Sequence, residues 1–174
     1  MTQLGCFNYI PRDEYILLMR SEKGESIMVT LVGVRGNFVD ALKELVELEC
    51  DTVEVYETAI DRLKDPEYKI TLGQFRDDHK RHISELTSLL IKHDVQPPLG
   101  HSMGKHWVTI GKVVIANLKG GDKAILLAIK VNKIDTNTTY ARMKERSDAW
   151  NDARDIIECG LQDEQRHQKW LEAH

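Results

Sequence analysis

The stretch Glu164-Gln165-Arg166-His167 places a carboxylate and an imidazole three residues apart near the end of the chain. A second stretch, His79-Lys80-Arg81-His82, repeats this spacing with two imidazoles. In both stretches the spaced residues fall on the apolar stripe of a long predicted helix, which would bury them. Ionisable groups are costly to bury unless they pair with one another or bind a metal. The sequence therefore predicts a metal site, or a polar network, inside a helical bundle.

Four long apolar patterns with helical spacing predict four helices. The first covers residues 38–63 and the second approximately residues 66–93. The third covers approximately residues 122–146, and the fourth runs from residue 147 to the C terminus. Helices of ~25 residues are close to ~40 Å long at ~1.5 Å per residue, which is an ordinary length for a bundle.

The connections between these helices indicate how they pair. Helices one and two are joined by almost no loop, as are helices three and four, so each pair should form an antiparallel hairpin. Residues 93–121 form a connection of about 30 residues, long enough to cross the height of the bundle. It would leave helices two and three parallel, and residues 113–118 could add a short helix. The sequence thus predicts an all-α four-helix bundle over residues 37–174, built from two antiparallel hairpins and one long crossover.

Residues 1–36 have a different character and are expected to be an N-terminal extension or docking arm. Two β-prone runs, residues 14–19 and 26–33, flank Glu22-Lys23-Gly24-Glu25. That pattern is typical of a β-hairpin, while a docking arm and a poorly ordered leader stay open. Apolar runs are unfavourable in water, so packing against the bundle or a partner is favoured over free disorder.

The composition excludes several classes of protein. At 174 residues the chain is long enough for one domain with a sizeable core. A net charge of −4 offers no basic surface for nucleic acid. There is no apolar run of membrane-spanning length and no signal-peptide pattern. Three cysteines without C-x-x-C spacing indicate buried free thiols in a reducing compartment, so we expect a cytoplasmic protein. We also expect a homo-oligomer, a dimer or larger.

Further polar residues on the same stripes point to one site. Glu49 lies on the stripe of the first helix and Lys133 on that of the third. Each is followed two helical turns later by a tyrosine, Tyr56 or Tyr140, so the two hairpins look like related halves. Both tyrosines are expected to pack and to hydrogen-bond carboxylates rather than to carry radicals. Asp78, beside the stripe, is expected to be solvated or to orient the histidine one turn later.

In this arrangement the chain resembles the ferritin-like superfamily, which includes bacterioferritins and rubrerythrins, and looks most similar to small bacterial ferritin-like proteins. The resemblance covers residues 37–174, and its matching stretches are Glu49-x6-Tyr56, Asp78-His79-Lys80-Arg81-His82, Asn132-Lys133 to Tyr140, and Glu164-x-x-His167. It implies a centre of two metal ions that react with oxygen or peroxide. If the protein is an enzyme, the resemblance implies a ferroxidase- or peroxidase-like oxidoreductase.

The metal ligands that the resemblance implies are Glu49, His79, His82, Glu164 and His167. Three imidazoles and two carboxylates favour iron, manganese, zinc or copper over calcium or magnesium, and iron is the first candidate. No catalytic residue is assigned; Tyr56, Lys133 and Tyr140 are candidates for modifying the centre from beside the ligands.

Two positions depart from the family pattern, because His79 and Lys133 each stand where a glutamate is expected. An ammonium cannot ligate a metal and would repel cations on either side of it. Three outcomes are open: a single-metal site, a lysine that is neutral or swung aside, or a metal-free bundle in which Lys133 pairs with Glu49 and Glu164. A metal-free bundle would be an interaction or assembly module without enzymatic activity.

Overall fold

The computed structural model describes residues 16–20, 26–30, 32–34, 36–99 and 120–174. Its four long helices are α1 (Phe38–Arg62), α2 (Pro66–Lys92), α3 (Gly121–Lys144) and α4 (Arg154–Ala173). A short 3-10 helix, Asn151–Ala153, leads into α4. The predicted all-α four-helix bundle is therefore confirmed, although the fourth helix begins later than expected, at Arg154.

The boundaries of the first hairpin follow from side-chain caps. Asn37 caps α1 by accepting a hydrogen bond of 3.0 Å from the backbone N–H of Asp40. Asp65 caps α2 in the same way, at 2.8 Å from the N–H of Glu67. Pro66 follows as the first residue of α2, a position where its missing N–H costs nothing. Only three residues separate the end of α1 at Arg62 from the start of α2 at Pro66, and so short a connection makes the two helices antiparallel.

Helices α1 and α3 also lie side by side and antiparallel. At one end, the Asp122 carboxylate at the start of α3 accepts a hydrogen bond of 3.0 Å from the N–H of Lys64, just after α1. Towards the other end, Tyr140 in the last part of α3 reaches Glu49 in the first half of α1. The order of these contacts along the two helices is opposite, so the helices run in opposite directions.

Helices α2 and α4 are also neighbours and antiparallel. Tyr68 near the start of α2 packs edge-on against Trp170 near the end of α4, with ring centroids 5.8 Å apart. Lys92 at the end of α2 forms an ion pair of 2.7 Å with Asp152, just before α4. It follows that α2 and α3 are parallel, as predicted, and that the chain between them joins opposite ends of the bundle. The short helix expected at residues 113–118 lies outside the described residues.

The apolar core is divided into two clusters, one towards each end of the bundle. One cluster is centred on Leu42, Leu86 and Ile157, and the other on Ala59, Leu72 and Ile129. Between them the inward-facing positions of all four helices are polar. No helix in the described part of the chain has an apolar stretch that could span a membrane.

The expectation of buried thiols holds only in part. Cys50 on α1 is a free, half-buried thiol, whereas Cys159 on α4 is free and exposed. The prediction of burial was wrong for Cys159, because this residue lies on the outer face of its helix. Cys6 lies outside the described residues.

An antiparallel β-hairpin precedes the bundle. This was one of the alternatives predicted for the N-terminal segment. It consists of β1 (Ile16–Arg20) and β2 (Ser26–Thr30), and β2 contacts α3. The turn that follows is held by Arg146 beyond the end of α3. Its guanidinium donates to the carbonyl oxygens of Gly33 at 3.1 Å and Gly36 at 3.0 Å. The extension is therefore attached to one hairpin of the bundle.

Two glycines in helices provide a test of the packing. A Cβ added to Gly160 on α4 would overlap the ring of Tyr140 on α3. We expect Gly160→Ala to lower the free energy of unfolding by about 1–3 kcal/mol, the usual cost of overpacking. Gly73 on α2 is the matched control, because a Cβ there meets nothing within 4 Å. Gly73→Ala should raise stability by up to about 1 kcal/mol through helix propensity. Urea denaturation measures both, and equal effects would contradict the close approach of α3 and α4.

Candidate metal centre

The polar belt between the two apolar clusters brings the predicted site residues together from all four helices. Each of their side chains is almost completely buried, and none of these residues is more than 2% exposed. Helix α1 contributes one of them, α2 two, α3 one and α4 two: Glu49, His79, His82, Lys133, Glu164 and His167.

The Glu49 carboxylate is held by three hydrogen-bonding groups. His79 Nδ1 contacts Oε2, and His82 Nδ1 lies 3.3 Å from Oε1. The Tyr140 hydroxyl donates to the same Oε1 at 2.6 Å, which confirms the predicted contact of this tyrosine with a carboxylate. Although burial raises it, the contacts with His79 and His82 hold the pKa of Glu49 well below its usual value. This side chain is therefore an anion in the core.

Lys133 occupies the opposite half of the belt. Its Nζ lies 2.7 Å from Glu164 Oε2 and 2.8 Å from His79 Nε2. The Thr136 hydroxyl, which the sequence reasoning missed, donates to the same oxygen of Glu164. Because an ammonium can only donate, His79 Nε2 accepts from Lys133 and His79 Nδ1 donates to Glu49. His79 thus links the two halves of the belt in one defined tautomer.

His82 provides the second positive charge of the belt. Its Nδ1 faces Glu49, and its Nε2 lies 3.2 Å from Asp163 Oδ2 on α4. Burial lowers the pKa of His82, but the hydrogen bond to Glu49 outweighs that effect and raises the pKa from 6.5 to about 9. Two carboxylates, one ammonium and one imidazolium therefore leave the belt close to neutral.

Four of the five predicted ligands converge on one position. One ligand atom from each of Glu49, His79, His82 and Glu164 lies within 4.8 Å of the others. Two imidazole nitrogens and two carboxylate oxygens form a donor set that could hold a transition-metal ion.

The fifth predicted ligand, His167, lies beside this group rather than within it. Its Nε2 contacts Asp78 Oδ2 at 2.9 Å, and its Nδ1 lies 3.8 Å from Glu164 Oε1. Burial, followed by the charge of Lys133, lowers the pKa of His167, so its ring is neutral. The same Nε2 also lies 3.2 Å from the guanidinium of Arg166. His167 Nδ1 and Glu164 Oε1 are both buried, and neither has a hydrogen-bond partner among the described residues. With the ring proton on Nε2, a cation between these two atoms would satisfy both.

Asp78 is neither simply solvated nor oriented towards His82, contrary to expectation. Two of the three histidines of the belt are held by an aspartate from the other hairpin: His82 by Asp163, and His167 by Asp78. Asp163 was not among the candidates found from the sequence. The signal that could have revealed it is the repeat Asp-x-x-Arg-His, which occurs at residues 78–82 and again at 163–167.

The two tyrosines differ, although the sequence suggested equivalent roles. The Tyr140 hydroxyl binds Glu49, whereas the buried Tyr56 hydroxyl has no hydrogen-bond partner among the described residues. The Tyr56 ring lies 5.3 Å from the ring of His79 and 5.5 Å from Lys133 Nζ, measured from its centroid. The expectation that Tyr56 hydrogen-bonds a carboxylate was therefore wrong.

The fold and the buried donor set define a four-helix bundle with a candidate metal centre in its core. Residues 37–129 match the family described as "Domain of unknown function (DUF2383)", and the chain belongs to this family. Among solved structures it is similar to a conserved hypothetical protein, rv2844, from Mycobacterium tuberculosis. The two share 14% identity and a TM-score of 0.63 over 80% of this chain and 98% of that chain, a likeness of fold alone. No curated protein matches the sequence.

The raised pKa of His82 predicts how the stability of the metal-free protein depends on pH. Between pH 6.5 and about 9 the folded protein keeps a proton on His82 that the unfolded chain has lost. Protonation of His82 therefore contributes about 3 kcal/mol to the free energy of unfolding. This contribution is fully present below pH 6.5 and is lost as the pH rises through about 9. Urea unfolding in a chelator should show this decline, and His82→Gln should abolish it. A wild-type profile that is flat from pH 6.5 to 9.5 would contradict the assignment.

Proposed function

We propose that this protein is a ferritin-like metal-binding protein that holds one transition-metal ion in the core of its bundle. The observation that carries the proposal is the convergence of four fully buried ligand atoms, from Glu49, His79, His82 and Glu164, within 4.8 Å. The two antiparallel hairpins, the parallel α2 and α3, and the inward-facing Glu164-x-x-His167 support a place in the ferritin-like superfamily.

A second observation supports a metal ion at this site. Glu164 Oε1 and His167 Nδ1 lie 3.8 Å apart in the core, and neither has a hydrogen-bond partner among the described residues. Buried polar atoms without a partner are costly, and a cation bound by both atoms removes that cost. His167 is therefore the additional ligand that a cation at Glu164 would recruit.

Iron is the metal that we propose first. Imidazole and carboxylate together suit iron, manganese and zinc, and do not favour calcium or magnesium. Bound iron would supply one-electron and oxygen chemistry. The function that follows is redox handling of iron or of oxidative stress by a ferroxidase- or peroxidase-like oxidoreductase, in which the buried belt keeps bulk water away from the metal.

We propose one ion rather than two because of Lys133. Lys133 occupies the position on α3 from which a two-ion centre would take a carboxylate, and an ammonium cannot ligate a metal. Without a ligand from α3, the remaining buried donors are those of a site for one ion. The two departures from the family pattern, His79 and Lys133, contact each other and together convert a two-ion arrangement into a one-ion arrangement.

A metal-free interaction or assembly module is the second candidate function. The observation that favours it is the balance of charge, because Lys133 and His82 neutralise Glu49 and Glu164 without any metal. In that case the belt would serve to fix the register of the four helices. The metal content of the purified protein distinguishes the two candidates.

Metal content is the direct test of the proposal. We expect protein produced with iron and manganese present, and purified without chelator, to carry approximately one ion per chain, because a preformed buried site retains its ion. Elemental analysis by mass spectrometry gives the stoichiometry, and Glu49→Gln should lower it sharply. Fewer than ~0.2 ions per wild-type chain would refute the metal centre and favour the interaction module.

Replacing Lys133 tests the reason for a single ion. Lys133→Glu removes the ammonium from Glu164 and restores a carboxylate on α3, so the metal stoichiometry should rise towards two. Lys130→Glu is the matched control, because it makes the same change of charge one turn earlier on α3, outside the belt. Both variants are measured by elemental analysis after reconstitution with Fe²⁺ under anaerobic conditions. An unchanged stoichiometry in Lys133→Glu would show that Lys133 does not occupy the place of the second ion.

A further inference from the structure

A small cavity lies between α1 and α3, next to the metal centre. Its volume is about 40 Å³, which is enough for one or a few water molecules. The lining includes Tyr56 and Lys133 on its inner side, together with two acidic residues, one from each helix: Asp51 and Asp135. Lys133 therefore lies between this cavity and the metal ligands, since its ammonium contacts Glu164 and His79.

The metal and the ammonium of Lys133 compete for Glu164. In the structure the ammonium is 2.7 Å from Glu164 Oε2, and the same residue supplies a ligand atom to the proposed metal position. Two cations at this distance from one carboxylate repel each other in a buried site. The ammonium must therefore leave when the metal binds. A lysine can do so because its charge is carried on a flexible four-carbon stem.

The cavity offers the ammonium a second position. The Tyr56 hydroxyl, buried and without a hydrogen-bond partner among the described residues, belongs to a side chain that lines the cavity. The Tyr56 ring is already close, with Lys133 Nζ 5.5 Å from its centroid. An unsatisfied buried hydroxyl oxygen is stabilised by accepting a hydrogen bond from an ammonium.

The two aspartates supply the charge that this second position needs. Asp51 is 5% exposed and Asp135 is 8% exposed, so their carboxylates act in a region of low dielectric constant. Each carboxylate oxygen can accept more than one hydrogen bond, so a lysine can join the contacts that the aspartates already make. The cavity therefore places two buried carboxylates near the unpartnered hydroxyl of Tyr56.

We propose that Lys133 is a movable counter-ion that exchanges with the metal. Without metal, the ammonium neutralises Glu164; when the metal binds, the ammonium withdraws into the α1–α3 cavity, where Tyr56, Asp51 and Asp135 receive it. Glu164 then has a cation beside it in both states. Tyr56 and the two aspartates become positioning residues that raise metal affinity without contacting the metal. This inference rests on the proposed metal centre.

A double-mutant cycle with Zn²⁺, which has no redox chemistry, tests the exchange. Tyr56→Phe removes one oxygen atom and should weaken Zn²⁺ binding by at least about fivefold when Lys133 is present, because the displaced ammonium loses its acceptor. In a Lys133→Met background, which has no ammonium to place, Tyr56→Phe should change the affinity by less than about twofold. Asp51→Asn should behave in the same way as Tyr56→Phe.

Thr139→Val is the matched control for this cycle. The Thr139 hydroxyl is also buried and unpartnered among the described residues, but it is not part of the cavity lining. It should leave the Zn²⁺ affinity unchanged in both backgrounds. Isothermal titration calorimetry gives the affinities, and circular dichroism verifies that each variant is folded. If Lys133→Met does not fold, Lys133→Gln replaces it, because glutamine keeps a hydrogen-bond donor for Glu164.

The possible results distinguish a failure of the proposed exchange from a failure of the proposed metal centre. If Tyr56→Phe weakens binding equally in both backgrounds, the hydroxyl acts on the metal ligands directly and the exchange is overturned. A structure of the Zn²⁺-loaded protein with Lys133 Nζ still beside Glu164 would overturn it as well, while leaving the metal centre intact. If neither the wild-type protein nor Lys133→Met binds Zn²⁺, the metal centre is refuted and the exchange with it.

Discussion

The ion pair between Lys133 and Glu164 is the interaction on which the rest of the buried belt depends. Both side chains are excluded from water, so neither charge could remain without the other, and removing one partner of such a pair typically costs about 3–5 kcal/mol. The same ammonium determines the tautomer of His79, because it can only donate to that ring. His79 in turn donates to Glu49. One positive charge on α3 therefore orders contacts on α4, α2 and α1.

The two hairpins carry matching residue patterns, yet the belt is asymmetric in a way that preserves charge balance. Glu49 on α1 corresponds to Lys133 on α3, and His79 on α2 corresponds to Glu164 on α4. Glutamate at all four positions would require several cations to neutralise it. With a lysine and a histidine at two of them, one ammonium and one imidazolium are enough to balance the charge of the belt.

The sequence predicted the parts of this structure that depend on local periodicity and on loop length. Stripe spacing identified the four helices and the buried polar residues of the belt, and the short and long connections predicted the parallel α2 and α3. What it could not determine is which of the possible contacts between helices form. Lys133 pairs with Glu164 and not with Glu49, and Asp78 holds His167 across the hairpins. A period of 3.6 residues shows which face is buried, but not which neighbour a long side chain reaches or where its polar atom points.

The surroundings of the belt differ between the sides of the bundle. An apolar cluster closes each end of the bundle, since the described core residues lie above and below the polar belt. The α2–α4 side is occupied by ion pairs that hold the two histidines, including Arg166 with Asp78 and Arg81 with Asp163. Breaking these pairs would also release His167 and His82 from their orientations. Among the described residues, the α1–α3 side is where a cavity adjoins the belt. Lys133 lies on that side, so its side chain borders the cavity while its ammonium contacts Glu164 in the belt.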